Sequence, residues 1–281
     1  MLIFRNKKKL QTYLNEIPRN ENIIGFVPTM GSLHEGHLQL IKESTKECTI
    51  TICSIFINPT QFNNEEDLKN YPRNTEKDIN ILNKTTDCNI VYYPEISDLY
   101  KKNEKAHYYN FNGLDKSMEG IYRPNHFNGV ATVLEKFFRI INPNIAFFGE
   151  KDLQQLQIVK KLVTLLNMPI KIVGVPTKRD KNGIAMSSRN NFLNNHQIQE
   201  ALQLYASLQY CKDNKTNTIK TLRSHIISKF EKNAMIKLEY IEFVDFETLR
   251  PIKKIKPSPC KNAICIAAYI GDVRLIDNII L

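Results

Sequence analysis

The chain has 281 residues, of which 42% are hydrophobic, and its 39 Lys and Arg side chains against 29 Asp and Glu give a formal charge of +10. This length allows two domains, because a single domain typically holds about 100–150 residues. No stretch approaches the ~18 consecutive apolar residues of a membrane helix, and the first residues lack a signal-peptide core, so we expect a cytoplasmic protein without a membrane partner.

Residues 1–176 alternate between short β-rich runs and helical patterns, which is typical of a parallel sheet covered by helices. Apolar residues at helical spacing predict core-facing helices over residues 130–141 and 153–166. We therefore predict a Rossmann-like, doubly wound α/β domain over residues 1–176. Consecutive β-branched and aromatic residues predict its strands at residues 23–27, 49–57, 89–93, 145–148 and 170–175.

The pattern changes after Pro176, and residues 177–281 predict a separate, smaller α+β domain. This part holds 17 basic and 10 acidic side chains, against 22 and 19 in residues 1–176. The basic residues are dispersed and the chain has no Trp, so we expect no nucleic-acid partner. Helices are predicted at residues 195–211 and 217–233, and strands at 236–243, 264–269 and 273–276.

Residues 26–37 read as a strand, a glycine-containing turn and a helix that begins with two histidines. Such a helix N-terminus binds phosphate, because unpaired N–H groups and the helix dipole point at the ligand. Gly31 and Gly36 let a ligand approach the backbone closely, and His34 and His37 suit negative charge that builds on a phosphate under attack. The alternative is that one histidine caps the helix and the other lies in the core or binds a metal, although the spacing differs from the H-E-x-x-H zinc motif.

Two further strand ends carry polar side chains. Asn58 and Gln61 follow the second predicted strand and offer neutral hydrogen-bonding groups to a small substrate. Lys151 follows another strand and can contact a phosphate, with Gln155 one helical turn later. The alternatives are an ordinary Asn-Pro turn and a solvated helix N-terminus.

Two loops complete the set of candidates. Ser187, Ser188 and Arg189 supply two hydroxyls and a guanidinium, which suit the oxyanions of a polyphosphate. A helix cap with an exposed arginine is the alternative. Arg123 and His126 lie three residues apart in a turn-rich segment, and such loops often carry function.

In combination and order, these motifs resemble the pantoate-β-alanine ligase family, within the nucleotidyltransferase superfamily related to class I aminoacyl-tRNA synthetases. The resemblance covers nearly the whole chain. It rests on P-T-M-G-x-L-H-x-G-H at residues 28–37, N-P-x-Q-F at 58–62, R-P-x-H-F at 123–127, G-E-K-D-x-Q-Q at 149–155 and M-S-S-R-N at 186–190.

The resemblance implies a two-step reaction. Pantoate and ATP form pantoyl adenylate and pyrophosphate, and the amine of β-alanine then attacks to give pantothenate and AMP. The resemblance also implies a homodimer, Mg²⁺ that accompanies ATP without a named protein ligand, and a second domain that acts as a lid over ATP. Another nucleotidyltransferase with the same H-x-G-H turn, such as an adenylyltransferase for a phosphate acceptor, is the alternative, but it would need basic residues in place of Asn58, Gln61 and Gln155.

The resemblance also implies residue roles. His34, His37, Lys151 and Arg189 are the implied catalytic residues, and Asn58, Gln61, His126 and Gln155 the implied ligands of pantoate and β-alanine. The implied ATP-binding residues are Met30, Gly31, Ser32, Leu33, His34, Glu35, Gly36, His37, Gly149, Glu150, Lys151, Asp152, Lys178, Met186, Ser187, Ser188 and Arg189.

Two positions depart from the family pattern. Lys178 stands where an apolar residue is usual, so only its backbone is expected to contact adenine. Asn125 replaces a glycine in its turn, and Asn tolerates left-handed backbone angles better than most residues do.

Overall fold

A computed structural model describes residues 1–257 and 259–281. The chain divides into two compact units. The first consists of Met1–Glu150 and Ile158–Pro176, and the second of Lys151–Gln157 and Thr177–Leu281. The segment Lys151–Gln157 therefore groups with residues that follow it by about twenty positions or more. In the part of the chain that the structure describes, no helix is long and apolar enough to cross a membrane.

The first unit is built on a six-stranded sheet in which every neighbouring pair of strands is parallel. The strand order β1-β4-β3-β2-β5-β6 confirms the predicted doubly wound sheet. The edge strand β1 was not predicted, because three exposed or half-exposed residues give no burial pattern. The strands are β1 (Leu2–Phe4), β2 (Ile24–Thr29), β3 (Ile50–Ile55), β4 (Ile90–Tyr92), β5 (Ile145–Gly149) and β6 (Lys171–Val175).

Helices connect these strands. The longest helix of this unit begins at His126, four residues before the predicted start, so the end of the predicted loop is helical. Asn125 immediately before it has φ 63° and ψ −3°, the left-handed conformation expected at this position. The helices are α1 (Lys7–Asn15), α2 (Glu35–Glu47), α3 (Glu65–Asn70), α4 (Thr75–Thr85), α5 (Ile96–Leu99), α6 (Glu119–Tyr122), α7 (His126–Ile141) and α8 (Leu153–Leu165), with 3-10 turns at Pro59–Gln61 and Glu150–Asp152.

The connections of the sheet reverse direction between β2 and β5. From β2 the chain proceeds through β3 to β4 on one side, whereas β5 and β6 extend the sheet on the other side. Ligands of open α/β sheets bind outside the carboxyl ends of the strands at such a reversal. The turn that leads from β2 into α2 leaves the sheet at this point.

The second unit contains a three-stranded antiparallel sheet in the order β7-β8-β9, with a core formed between the sheet and two helices. This agrees with the predicted smaller α+β part. The last strand runs four residues beyond its predicted end, because the buried polar residues Asp277 and Asn278 interrupt the apolar pattern. The elements are α9 (Asn195–Asp213), α10 (Ile219–Glu231), β7 (Ile236–Asp245), β8 (Asn262–Ile270) and β9 (Val273–Ile280), with a 3-10 helix at Ser188–Phe192.

Close packing of β2 on α2 depends on Gly25. A Cβ atom at this position would lie 2.2 Å from Ser44 Oγ and 2.7 Å from Cys48 Sγ. We expect Gly25→Ala to lower the free energy of unfolding by about 1–3 kcal/mol, because overpacking forces neighbouring atoms to shift. Urea denaturation measures the change. Lys46→Ala on the exposed side of α2 is the control, with an expected change within about 0.5 kcal/mol; equal stability of the two variants would contradict the packing argument.

Candidate active site

The turn after β2 is held by a carboxylate from another helix. The N–H groups of Ser32 and Leu33 each donate to the side chain of Asp78 on α4, both at 2.8 Å. Gly31 and Ser32 have φ angles of 78° and 51°, so two successive residues adopt left-handed backbone angles. Thr29 Oγ1 accepts the N–H of Gly31 at 3.2 Å. The conformation of the turn is therefore defined by side chains outside it.

Asp78 is only 2% exposed. Burial raises the pKa of its carboxyl above the ordinary value, and the two backbone N–H groups act in the opposite direction. A Cβ on Gly31 would lie 2.9 Å from Asp78 Oδ2, so the glycine also makes room for the carboxylate. Sequence reasoning missed Asp78, because an acidic residue in the first turn of a helix is common and the partner lies 46 residues away.

The two histidines of the turn are ordered by backbone hydrogen bonds. His34 precedes α2, and its Nδ1 accepts the N–H of Gly36 at 3.1 Å, while His37 Nδ1 accepts the N–H of His34 at 3.3 Å. The ring centroids lie 4.1 Å apart. Because Nδ1 is an acceptor in both rings, each neutral imidazole carries its proton on Nε2. The capping alternative is thus confirmed for His34, and it engages only one of the two ring nitrogens.

Asn58 is enclosed by protein partners. Its side chain is 1% exposed, and its Nδ2 donates to Gly129 O at 3.0 Å and to Gln61 Oε1 at 3.2 Å. Its Oδ1 accepts from the hydroxyls of Tyr100 at 2.7 Å and Thr60 at 3.1 Å. The amide therefore has four partners within the first unit. This geometry favours a role for Asn58 in orienting Gln61 over direct contact with a substrate.

Gln61 links the strand-end residues to the histidine turn. Its Nε2 lies 2.8 Å from Sδ of Met30, the residue before the turn glycine. His126 Nδ1 donates to the carbonyl of Gln61 at 2.8 Å, which fixes the ring so that its proton is on Nδ1. Gly129 allows α7 to pack closely against the 3-10 turn at Pro59–Gln61, because a Cβ atom at residue 129 would lie 2.3 Å from the carbonyl oxygen of Thr60. The structure thus brings together Gln61, His126 and the start of the predicted ATP-binding turn.

A cleft of about 770 Å³ adjoins this group within the first unit. Met30, Gly31, Asp78 and Tyr100 are among the residues that line it. A volume of this size suits a small organic ligand, since such sites typically measure about 300–1,000 Å³.

The remaining predicted residues belong to the second unit, apart from Gly149 and Glu150. Lys151 lies in the 3-10 turn before α8, and its Nζ is 3.6 Å from Asp152 Oδ1. The carbonyl of exposed Lys178 accepts the N–H of Met186 at 2.9 Å, so its backbone is part of an ordered loop. Ser187 Oγ accepts the N–H of Arg189 at 3.3 Å, which confirms the capping alternative for this serine. Ser188, Arg189 and Gln155 are half-buried.

Comparisons with known proteins show which family this chain resembles. A family model described as Pantoate-beta-alanine ligase matches residues 2–280. The pantothenate synthetase of Flavobacterium psychrophilum is 42% identical over the full length of both chains. A crystal structure of pantothenate synthetase from Thermus thermophilus is 32% identical, with a TM-score of 0.89 and 99% of both chains covered. A pantoate-beta-alanine ligase from Francisella tularensis, crystallised with beta-gamma ATP and beta-alanine, is 36% identical with a TM-score of 0.82, covering 99% of this chain and 97% of its own.

The hydroxyl of Tyr100 is expected to stabilise the Asn58 network. Burial raises the pKa of Tyr100 to about 12, so the hydroxyl remains a donor at neutral pH. Tyr100→Phe leaves Asn58 Oδ1 with one donor fewer, and we expect the free energy of unfolding to fall by about 1–2 kcal/mol. Urea denaturation measures it, with Tyr108→Phe as the control because Tyr108 is 78% exposed. Equal losses in both variants would argue against a stabilising network around Asn58.

Proposed function

This chain belongs to the pantoate-β-alanine ligase family, and we propose that the turn after β2 carries its reaction. The protein is an ATP-dependent ligase that joins pantoate to β-alanine. The proposed chemistry is activation of the pantoate carboxylate as an adenylate, with release of pyrophosphate, followed by attack of the β-alanine amine and release of AMP. A carboxylate is a poor electrophile, and the mixed anhydride supplies AMP as a leaving group.

The observation that carries the proposed site is the ordering of His34 and His37 at the N-terminus of α2. Both rings hold their proton on Nε2, because Nδ1 of each accepts a backbone N–H. Attack by a carboxylate builds negative charge on the α-phosphate oxygens, and preoriented N–H donors at a helix N-terminus stabilise that charge. We therefore assign phosphate contact to His34 and transition-state stabilisation to His37. Met30, Gly31, Ser32, Leu33, Glu35 and Gly36 complete the nucleotide-binding turn.

Gln61 is the proposed ligand of pantoate in the first unit, and it also helps to place β-alanine. Its neutral amide suits a nucleophilic carboxylate, since a salt bridge would stabilise the ground state and reduce reactivity. Asn58 and His126 orient Gln61 from two sides. The neutral amides and the match over residues 2–280 do not favour the alternative of an adenylyltransferase that acts on a phosphate acceptor.

The second unit supplies the remaining proposed contacts. We assign the triphosphate and the leaving pyrophosphate to Lys151, Ser187, Ser188 and Arg189, adenine to the backbone of Lys178, and pantoate to Gln155. Charged side chains and hydroxyls of this kind stabilise a transferring phosphoryl group. We further propose a domain at residues 1–176 and a second domain at residues 177–281 that acts as a lid over ATP, although Lys151–Gln157 of the first range group with the second unit. Gly149, Glu150, Asp152 and Met186 are assigned to the same nucleotide site.

Four wider properties remain predictions. We expect Mg²⁺ to arrive with ATP and to keep phosphate and water ligands; within residues 1–257 and 259–281, no group of three His, Cys, Asp or Glu side chains could hold a metal ion. We also expect a homodimer and a cytoplasmic location, and small-molecule substrates without a nucleic-acid partner.

Two substitutions of His37 test the roles of its two ring nitrogens separately. His37→Asn places an oxygen near the Nδ1 position and removes the Nε2 donor, whereas His37→Gln retains a donor near Nε2. We expect kcat for pyrophosphate release in the presence of pantoate to fall about 100-fold or more in His37→Asn, which corresponds to about 2.7 kcal/mol. His37→Gln should retain more activity. The measurement is pyrophosphate and AMP release, with turnover requiring pantoate and β-alanine.

His107→Asn is the matched control for this experiment, because His107 is an exposed histidine outside the turn. Its kcat should equal that of the unmodified protein. A His37→Asn variant that keeps kcat within about threefold, a loss below about 1 kcal/mol, would refute the assignment of His37.

Asp78 predicts a pH dependence of ATP binding. Because burial raises its pKa, ATP affinity should be full above that pKa and should decline as the pH falls through it. Protonation turns one oxygen into a donor that faces a backbone N–H. In Asp78→Asn the side-chain NH2 group faces a backbone N–H of the turn at every pH. The affinity for ATP at neutral pH should therefore be about tenfold weaker, the effect of one impaired charged hydrogen bond.

Calorimetric titration with ATP between about pH 4 and 8 tests this, a range that spans ordinary carboxyl and imidazole pKa values. Protonation of ATP itself affects the measured affinity equally in all the proteins that are compared. Glu76→Gln changes an exposed acid of the same helix and should preserve the parental profile. If ATP affinity depends on pH in the same way in the parent and in Asp78→Asn, Asp78 is not the source of the loss of affinity at low pH.

A further inference from the structure

In the second unit, residues 178–186 form a short hairpin that leads into the predicted phosphate-binding serines. Arg179 pairs with Ala185 in an antiparallel bridge, and the N–H of Met186 donates to Lys178 O at 2.9 Å. The turn is at Gly183, whose φ of 103° favours glycine. The hairpin thus carries Lys178 at its beginning and passes directly into Ser187, Ser188 and Arg189 at its end.

Arg179 attaches this hairpin to β9. Its guanidinium donates to both carboxylate oxygens of Asp277, at 2.7 and 2.9 Å, and to the carbonyls of Asn278 and Gly183, each at 3.0 Å. The same group lies 3.8 Å from the ring centroid of Tyr205 on α9. A bidentate, charge-assisted pair with a stacked guanidinium has little freedom to move. The position of the hairpin therefore depends on Asp277.

The neighbouring residue of β9 holds a different segment. Asn278 Nδ2 donates to the carbonyl oxygen of Lys151 at 2.7 Å. Successive side chains of a strand point to opposite faces, so Asp277 and Asn278 reach in opposite directions. They are 6% and 4% exposed, respectively. Two adjacent buried polar side chains thus connect β9 to the hairpin and to Lys151.

We propose that Asp277 and Asn278 are positioning residues that set the spacing between Lys151 and residues 187–189 for binding the triphosphate of ATP. This inference rests on the proposed contacts of Lys151 and of Ser187, Ser188 and Arg189 with phosphate. A phosphoryl-transfer site consists mainly of positioned charges, so a shift of about 1 Å in one of them is costly. Both partners of the hydrogen bond from Asn278 to Lys151 belong to the second unit.

The experiment compares Asn278→Ala and Asp277→Asn with the parent in steady-state assays. Each variant should lose about tenfold in kcat/KM for ATP, the effect of one hydrogen bond to a charged or buried group. KM for β-alanine should change by less than about twofold, because the amine does not contact the triphosphate. Asp277→Asn preserves side-chain volume, so it provides the test if Asn278→Ala does not fold.

Glu242→Gln is the matched control. It removes a carboxylate that pairs with Arg223 at 2.8 Å in the same unit, outside the hairpin and β9. Its kcat/KM for ATP should equal that of the parent. If the β9 variants lose no more than this control, or if they raise KM for β-alanine as much as KM for ATP, the positioning role is refuted.

A double substitution tests whether Asn278 acts through Lys151. When Lys151 is already Ala, adding Asn278→Ala should cause less than about a twofold further loss, because coupled residues are not additive. If the loss in kcat/KM for ATP of the double variant equals the product of the losses of the two single variants, the inference is overturned. The proposed function has a separate criterion: Lys151→Ala alone must lower kcat/KM for ATP. A strong effect of Lys151→Ala without any effect of the β9 variants overturns only the positioning role.

Discussion

The buried carboxylate of Asp78 is the interaction on which the turn between β2 and α2 depends. The backbone N–H groups of Ser32 and Leu33 both donate to it, at 2.8 Å each. These hydrogen bonds stabilise the left-handed backbone angles of Gly31 and Ser32. They thereby help to fix the residue at which α2 begins. The positions of the histidine rings follow from that start, because His34 Nδ1 accepts the N–H of Gly36 in the first helical turn and His37 Nδ1 accepts the N–H of His34 before it.

A second group of contacts supports the same turn from the side of β3. Asn58 uses its whole amide to connect the 3-10 turn, α7 and Tyr100, so Gln61 is presented in one orientation. His126 completes the support by donating to the carbonyl of Gln61. Under the proposed function, neutral groups suit this position, because a charged residue would add an unwanted interaction with a carboxylate substrate.

The second unit achieves its order in a different way, through polar residues in a strand. The carboxylate of Asp277 holds Arg179, and the amide of Asn278 holds the backbone of Lys151. Apolar side chains at these two positions would preserve a sheet, but they would supply no directional contact to either loop. Buried hydrogen bonds are directional, which suits them to specify spacing.

The amino-acid sequence by itself determined the six-stranded parallel sheet apart from its edge strand, the smaller α+β part, and the turn with its two histidines. These features have local signals: apolar periodicity, glycine at a turn, and motif order. It did not reveal Asp78, the supporting role of Asn58, or the link from β9 to Lys151, which rests on Asn278 Nδ2 and Lys151 O, 127 positions apart. Only the tertiary structure decided them, because a hydrogen bond between distant residues leaves no periodic pattern in the chain.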